Sequence, residues 1–200
     1  MSHHGLFIKL MERHIPVNLL QILEIWFQSG ITCVKCGNIL SNFYRLNCGI
    51  RQGGVLSPYL FAVYIDSVID RVRKSRVGCE INLANVSILV YADDILLLAP
   101  TVTALQTILH ICEDELVWLD MTINTAKSVC IRIGPKWDSV PANISTLDGA
   151  VISWQQSFRY LGVHIVAGRV FSCSIDSAKC AFYRAFNASM TRSAASPARK

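Results

Sequence analysis

Charge is what this chain has least of. Asp, Glu, Lys and Arg make up only 16% of its 200 residues, against 52% hydrophobic. That balance excludes a disordered chain, which needs low hydrophobicity and high charge. Long unbroken apolar runs are missing too. The most apolar stretch, residues 88–99, is interrupted by Asp93 and Asp94 and is too short to cross a bilayer. The N-terminal apolar stretch contains Lys9, Glu12 and Arg13, which argues against a secretory leader. Internal repeats are absent. Eight cysteines sit at irregular spacings and, without a leader, read as reduced thiols. Cys33 and Cys36 form a CxxC, but no second CxxC or histidine pair follows at finger spacing. They read as two small residues in a strand and turn, with a zinc site as the minor alternative.

What is present suffices for a core in one domain, or one and a fraction. The net charge of +5 permits a polyanionic partner without demanding one. Helical spacing over 6–14 stops at Ile15-Pro16, and a second helix is expected over 16–29, ended by Gly30. Residues 31–35 and 42–46 read as strands about a Gly37-Asn38 turn. A polar loop, 47–54, leads to a helix expected to take Ser57 as cap and Pro58 as its first residue. Phe61, Tyr64, Ile65, Val68, Ile69 and Val72 form its apolar stripe. A helix near Thr103 is expected to use Gln106 in a capping box, with Leu105, Ile108, Leu109, Cys112, Leu116 and Leu119 facing the core. Strands are expected at 129–133 and 158–166, a surface loop at 135–141, a helix at 176–190 and a frayed tail over 193–200.

The sharpest feature is Tyr91-Ala92-Asp93-Asp94 between two apolar runs, which predicts a tight β-hairpin. Adjacent carboxylates at an apolar hairpin turn repel each other and lose hydration. A divalent cation removes that conflict, because carboxylate and phosphate oxygens are what Mg²⁺ prefers. The bland alternative is an ordinary Asp-Asp surface turn. Since strand side chains alternate, Asp93 is the better direct ligand. Gln52, Gly53 and Gly54 either let backbone approach a nucleotide closely or form a flexible loop. Arg71, Arg73, Lys74 and Arg76 end the helix as a basic run, open to phosphates or more simply solvated at the negative end of the dipole.

Tyr91–Asp94 resembles motif C of reverse transcriptases, and it has company. Gly49-Ile50-Arg51-Gln52-Gly53-Gly54-Val55-Leu56-Ser57-Pro58 resembles motif B, and Tyr59 to Asp66 the helix after it. Asn124 to Ser128 resembles motif D, and Ser157 to Gly162 resembles motif E, the primer grip. The order and separations are those of the reverse transcriptases of non-LTR (LINE-like) retrotransposons. The resemblance implies an α+β fold: a partial polymerase palm, an antiparallel sheet with helices on one face, with fingers and thumb largely missing. Residues 1–170 would be palm, and 171–200 the start of a thumb or connection.

The implied reaction is template-directed addition of deoxynucleotides to a DNA primer on an RNA template, with Mg²⁺ or Mn²⁺ held by Asp93 and Asp94. Arg51, Gln52, Gly53, Ser57 and Pro58, with Tyr91 and Ala92, would border nucleotide and template. Lys127 would approach the triphosphate; its alternative is a solvated lysine before a strand. Tyr160, Leu161 and Gly162 would lie under the primer, or else present a core-facing aromatic. The family places a further metal-binding aspartate, motif A, just before a segment like Ser2–Leu6. The expectation is therefore that this chain lacks that carboxylate, is inactive alone, and leaves the edge of its hairpin open to association. Two other readings stand beside it: a degenerate, non-enzymatic palm remnant, and an unrelated metal-dependent phosphoesterase, for which supporting histidines are wanting. By analogy the protein would work inside the cell, in nucleus or cytoplasm, with no membrane role.

Overall fold

Pro16 separates the first two helices of the computed structural model, which describes residues 1–50 and 53–194. The chain divides into two compact units. Residues 1–123 with 145–149 form the first; 124–144 with the residues from 150 onward form the second.

The first unit opens with α1 (His3–Glu12), capped by Ser2, whose hydroxyl accepts the Gly5 N–H at 3.4 Å. Helix α2 (Val17–Gln28) takes Pro16 as its cap, so helical geometry starts one residue after the expected position. A nested ribbon follows. β1 (Ile31–Thr32) pairs antiparallel with β4 (Tyr44–Arg45), and inside them β2 (Lys35–Cys36) pairs with β3 (Ile39–Leu40) across the Gly37-Asn38 turn. Gly37 has φ +60°, which a side chain would strain. The two expected strands are each broken because the Ser41 hydroxyl accepts the Val34 N–H at 2.9 Å, interrupting the regular ladder.

Helix α3 (Ser57–Ser75) is the spine. Leu56, not Ser57, holds the cap position, and Ser57 is already helical, its N–H donating to Gly54 O at 3.1 Å. Pro58 lies in the first turn, where a missing N–H removes no helical bond. Short strands β5 (Glu80–Ile81) and β6 (Ala84–Asn85) lead into β7 (Ile88–Tyr91) and β8 (Asp94–Leu97). Helix α4 (Val102–Trp118) is capped by Thr101, whose hydroxyl accepts the Ala104 N–H at 3.1 Å. The capping box expected at Thr103 and Gln106 does not form. Gln106 instead clamps Ser145, donating to its carbonyl at 2.6 Å and accepting its N–H at 2.9 Å.

The core of this unit lies where α1 and α4 pack on α3 and the hairpin covers them, β7 against α3 and β8 against α4. Leu6, Tyr64, Val68, Val72, Ile88, Ile108 and Leu116 are buried there. Each aliphatic side chain so removed from water contributes roughly 1.5–3 kcal/mol. Of the expected stripes, Phe61, Ile69 and Leu105 are only half-buried. Tyr64 is fully buried; its hydroxyl donates to Leu119 O and accepts the Ser2 N–H. Gly5 allows α1 to sit this close, for a Cβ there would stand 3.2 Å from the Tyr64 ring.

In the second unit β9 (Val129–Cys130) and β11 (Val151–Trp154) run parallel; β10 (Ile144–Ser145) falls where the chain passes from the second unit to the first. β12 (Ser157–Tyr160), β13 (Val163–Val166) and β14 (Ser172–Ser174) form an antiparallel meander, and α5 (Asp176–Ala194) follows. The single strand expected over 158–166 is a hairpin. Leu161 (φ 47°) and Gly162 (φ 86°) both take left-handed geometry, the requirement of a two-residue hairpin turn. The architecture is α+β, in several small sheets rather than one. Among the described residues, no helix is long and apolar enough to cross a membrane. The expected tail falls largely outside the described residues.

Candidate active site

The two apolar runs on either side of Ala92 pair as β7 and β8, with Tyr91 opposite Asp94 and Val90 opposite Ile95. Ala92 and Asp93 are therefore the two turn residues, and Ala92 takes φ 51° to close the turn. Asp94 opens the return strand. Ile88 is fully buried at the root of the hairpin, while Tyr91, Ala92, Asp93 and Asp94 are exposed at its tip. The expected loss of hydration at the pair is thus corrected: the anchoring of the hairpin is apolar, but its tip stands in water. Adjacent carboxylates there keep their oxygens available to an external cation.

Mg²⁺ commonly binds through one or two carboxylates, completing its shell with water and substrate phosphates. Asp93 and Asp94 fit that description. Among the described residues no group of three or more His, Cys, Asp or Glu side chains is placed to hold an ion.

Gly53, Ser57 and Pro58 lie at the N-terminal end of α3, the helix against which β7 packs. Gly53 has φ +79° and open space where a Cβ would stand, so it meets both conditions for close approach of another molecule. Arg51 and Gln52 lie outside the described residues. The approach to this loop is tied to the start of the chain: Ser2 bridges Cys48, Gly49 N–H donates to Met1 O at 2.8 Å, and His3 Nε2 lies 2.9 Å from Gly49 O. Beside it a cleft of about 440 Å³ is lined by His3, Trp26, Phe27, Gly30, Gly49 and Ile50. Sequence reasoning missed these anchors, because a histidine bonded to a distant carbonyl leaves no local pattern.

The basic run at the end of α3 is not a uniform phosphate surface. Arg71 pairs with Glu115 of α4 at 3.1 Å. Burial of Glu115 raises its pKa, but the nearby Ser67 hydroxyl, the Arg71 hydrogen bond and the charges of Lys9 and Arg71 outweigh that and hold it below the usual value. Lys9 also lies over the Trp118 ring, 4.4 Å from its centroid.

The remaining residues singled out belong to the second unit. Lys127 is exposed, its N–H held by Asn124 in a turn before β9. Tyr160 is half-buried at the end of β12, its ring 6.4 Å from that of Phe158. Leu161 and Gly162 form the exposed turn.

Residues 1–165 match the family model described as reverse transcriptase (RNA-dependent DNA polymerase). The chain is 26% identical over 136 residues to the Pol polyprotein of the type-2 retrotransposable element R2DM of Drosophila melanogaster, covering 68% of this chain and 13% of that protein. It is 25% identical over 186 residues to the RNA-directed DNA polymerase from the mobile element jockey of the same organism, covering 90% of this chain and 20% of that one. An R2 polyprotein of Popillia japonica is 29% identical over 121 residues, covering 57% of this chain and 17% of its own length. The chain thus spans a fifth or less of these relatives, which belong to non-LTR retrotransposons. Four motifs in family order and a match over most of the length agree: this chain belongs to the reverse transcriptase family.

Proposed function

We propose that this chain is the palm portion of an RNA-directed DNA polymerase of a non-LTR retrotransposon, and that Asp93 and Asp94 are its metal-holding carboxylates. The observation that carries the reading is the exposed acidic pair at the tip of a hairpin whose root is buried on α3. In the implied reaction the primer 3′-hydroxyl oxygen bonds to the α-phosphorus of a deoxynucleoside triphosphate. The bond to pyrophosphate breaks, the hydroxyl proton leaves to solvent or a base, and pyrophosphate departs. A divalent cation, Mg²⁺ or Mn²⁺, would supply positive charge opposite the phosphate oxygens. Asp93 and Asp94 hold that charge in place. Arg51, Gln52 and Gly53, with Ser57, Pro58, Tyr91 and Ala92, border nucleotide and template. Lys127 neutralises the leaving group, and Tyr160, Leu161 and Gly162 support the primer. Residues 1–170 form the palm portion and 171–200 begin the thumb.

Paramagnetic Mn²⁺ tests the pair directly. It is expected to broaden the amide resonances of residues 91–94 first, and Asp93→Asn to abolish that selectivity. Equal broadening near Asp66 or Asp138 would overturn the assignment.

A second reading is that the 200-residue polypeptide by itself does not polymerise, because segments resembling motifs B to E are recognised in it and one resembling motif A, with its metal-binding aspartate, is not. An ion clamp contributes several kcal/mol to the transition state, and about 1.4 kcal/mol is a factor of ten in rate. Primer extension on an RNA template is expected to stay at background. Extension that vanishes in Asp93→Ala would refute inactivity while supporting the site.

A further inference from the structure

The charge of the molecule is divided unevenly between its two units. The second, residues 124–144 and 150–200, has ten Lys and Arg against only Asp138 and Asp176, a net of +8. The first has nine against twelve, a net of −3. The mild overall +5 conceals a strongly basic smaller unit joined to a larger acidic one. A local excess of this size draws polyanions to one unit and not the other.

Within the basic unit a cleft of about 200 Å³ lies between the 134–141 loop and the end of β11 with the Gln155-Gln156 connection after it. Trp137, Trp154, Arg132 and Asp138 line it, with Gln155 and Gln156. The Asp138 carboxylate repels phosphate, so the cleft itself can take only the base, with the phosphates outside it. Its walls are fixed. The Trp154 indole N–H donates to Ala142 O at 3.1 Å. Arg132 donates to the Ser139 hydroxyl at 2.8 Å, and that hydroxyl donates to Lys136 O at 2.8 Å, so the guanidinium braces the loop. Gly134 N–H donates to Gly168 O at 2.9 Å, and Ala167 N–H to Gln156 O at 2.7 Å, closing the floor. Trp137 keeps 37% of its surface exposed at the mouth.

The volume lies below the 300–1,000 Å³ usual for drug-sized ligands. It suits one planar ring system. Two indoles and a guanidinium offer π-faces and a cation, and the Gln155 and Gln156 amides both donate and accept. A planar, polar-edged ring attached to a polyanion is a nucleobase of a nucleic acid strand. A base in a duplex is already stacked on its neighbours, so the base must come from a single strand.

We propose that the cleft of Arg132, Trp137 and Trp154 is a base-stacking site for single-stranded nucleic acid, held to the basic unit by phosphate contacts. It is independent of Asp93 and Asp94, and it operates whether or not the chain polymerises.

Fluorescence anisotropy with labelled single-stranded dodecamers of uridine and of thymidine, using the whole 200-residue chain, tests this. Trp137→Ala is expected to weaken binding at least five-fold and up to about a hundred-fold, the range for loss of one aromatic stack. The slope of log affinity against log salt should not change, because no phosphate contact is lost. Trp137→Phe should recover most of the affinity, and Trp118→Phe, in the other unit, should have none to recover. Equal binding of the two strands assigns recognition to the base face; preference for uridine assigns an added contact to the 2′-hydroxyl. Either supports the site. Affinity unchanged in Trp137→Ala, or equal competition by a blunt duplex, overturns it. Trp137 is on an exposed loop, and circular dichroism of the variant confirms that loss of binding is not loss of fold.

Discussion

An added methyl group at Gly78 has nowhere to go. A Cβ there would stand 2.2 Å from the Ser87 hydroxyl and 3.0 Å from Leu98 O, and φ is +111°. Ser87 is fully buried and bonded to Val77 O and Cys79 O, so it cannot yield. Gly78→Ala is expected to destabilise by about 2–4 kcal/mol, combining left-handed strain with overpacking, as urea titration would measure. Nothing around Gly78 marked it in the sequence, where it reads as any loop glycine; its constraint comes from residues nine and twenty positions away. Burial pushes the Cys112 thiol up to about 12 and the Cys130 thiol to about 11. Near the ordinary thiol pKa of about 8.5, iodoacetamide should label exposed Cys36, Cys48, Cys173 and Cys180 and spare those two, as mass spectrometry would show. Glu115 adds a pH dependence. Its folded-state pKa lies below the ordinary 4.5, so its stabilisation is complete above about that value and fades as pH falls through the folded one. Glu115→Gln should cost about 1–2 kcal/mol at neutral pH, a difference from wild type that closes in acid.

At the scale of elements, helices and the central hairpin were legible because their apolar periods are long and unbroken. Tyr64, Ile65, Val68 and Val72 in α3, and Ile108, Leu109, Cys112 and Leu116 in α4, all lie on the buried side. The ends were less legible, because caps are chosen by tertiary partners. Thr103 and Gln106 have capping-box spacing, yet Gln106 finds Ser145, and the cap is Thr101. Thr101→Ala is therefore expected to cost about 1 kcal/mol and Thr103→Ala much less, a contrast readable in thermal melts. The β12–β13 turn was hidden because its first residue is leucine, which avoids positive φ. Leu161→Gly should relieve that strain and stabilise by roughly 0.5–1 kcal/mol. The acidic tip was placed correctly on a hairpin from its flanking runs alone. Its exposure was not legible, since an apolar stretch in a sequence does not say how far its end projects.

For the whole molecule, the first unit holds nearly all of the fully buried side chains, while the second buries chiefly Cys130, Ile144, Ile152 and Ala167. Opening free energies follow buried apolar contact. Amide exchange followed by mass spectrometry should be slowest in α3 and α4 and faster throughout the second unit, with α5, none of whose described side chains is buried, exchanging early. The nested ribbon of β1 to β4 adds a different property. Leu46 N–H donates to Gly30 O at 3.0 Å, so the ribbon leaves the fold and returns to it at adjacent points. Nearly all of its side chains are exposed. It is a detachable excursion: residues 31–45 can be excised and rejoined by a short glycine linker, or exchanged for a fluorescent reporter, with the helices that carry the hairpin left in register.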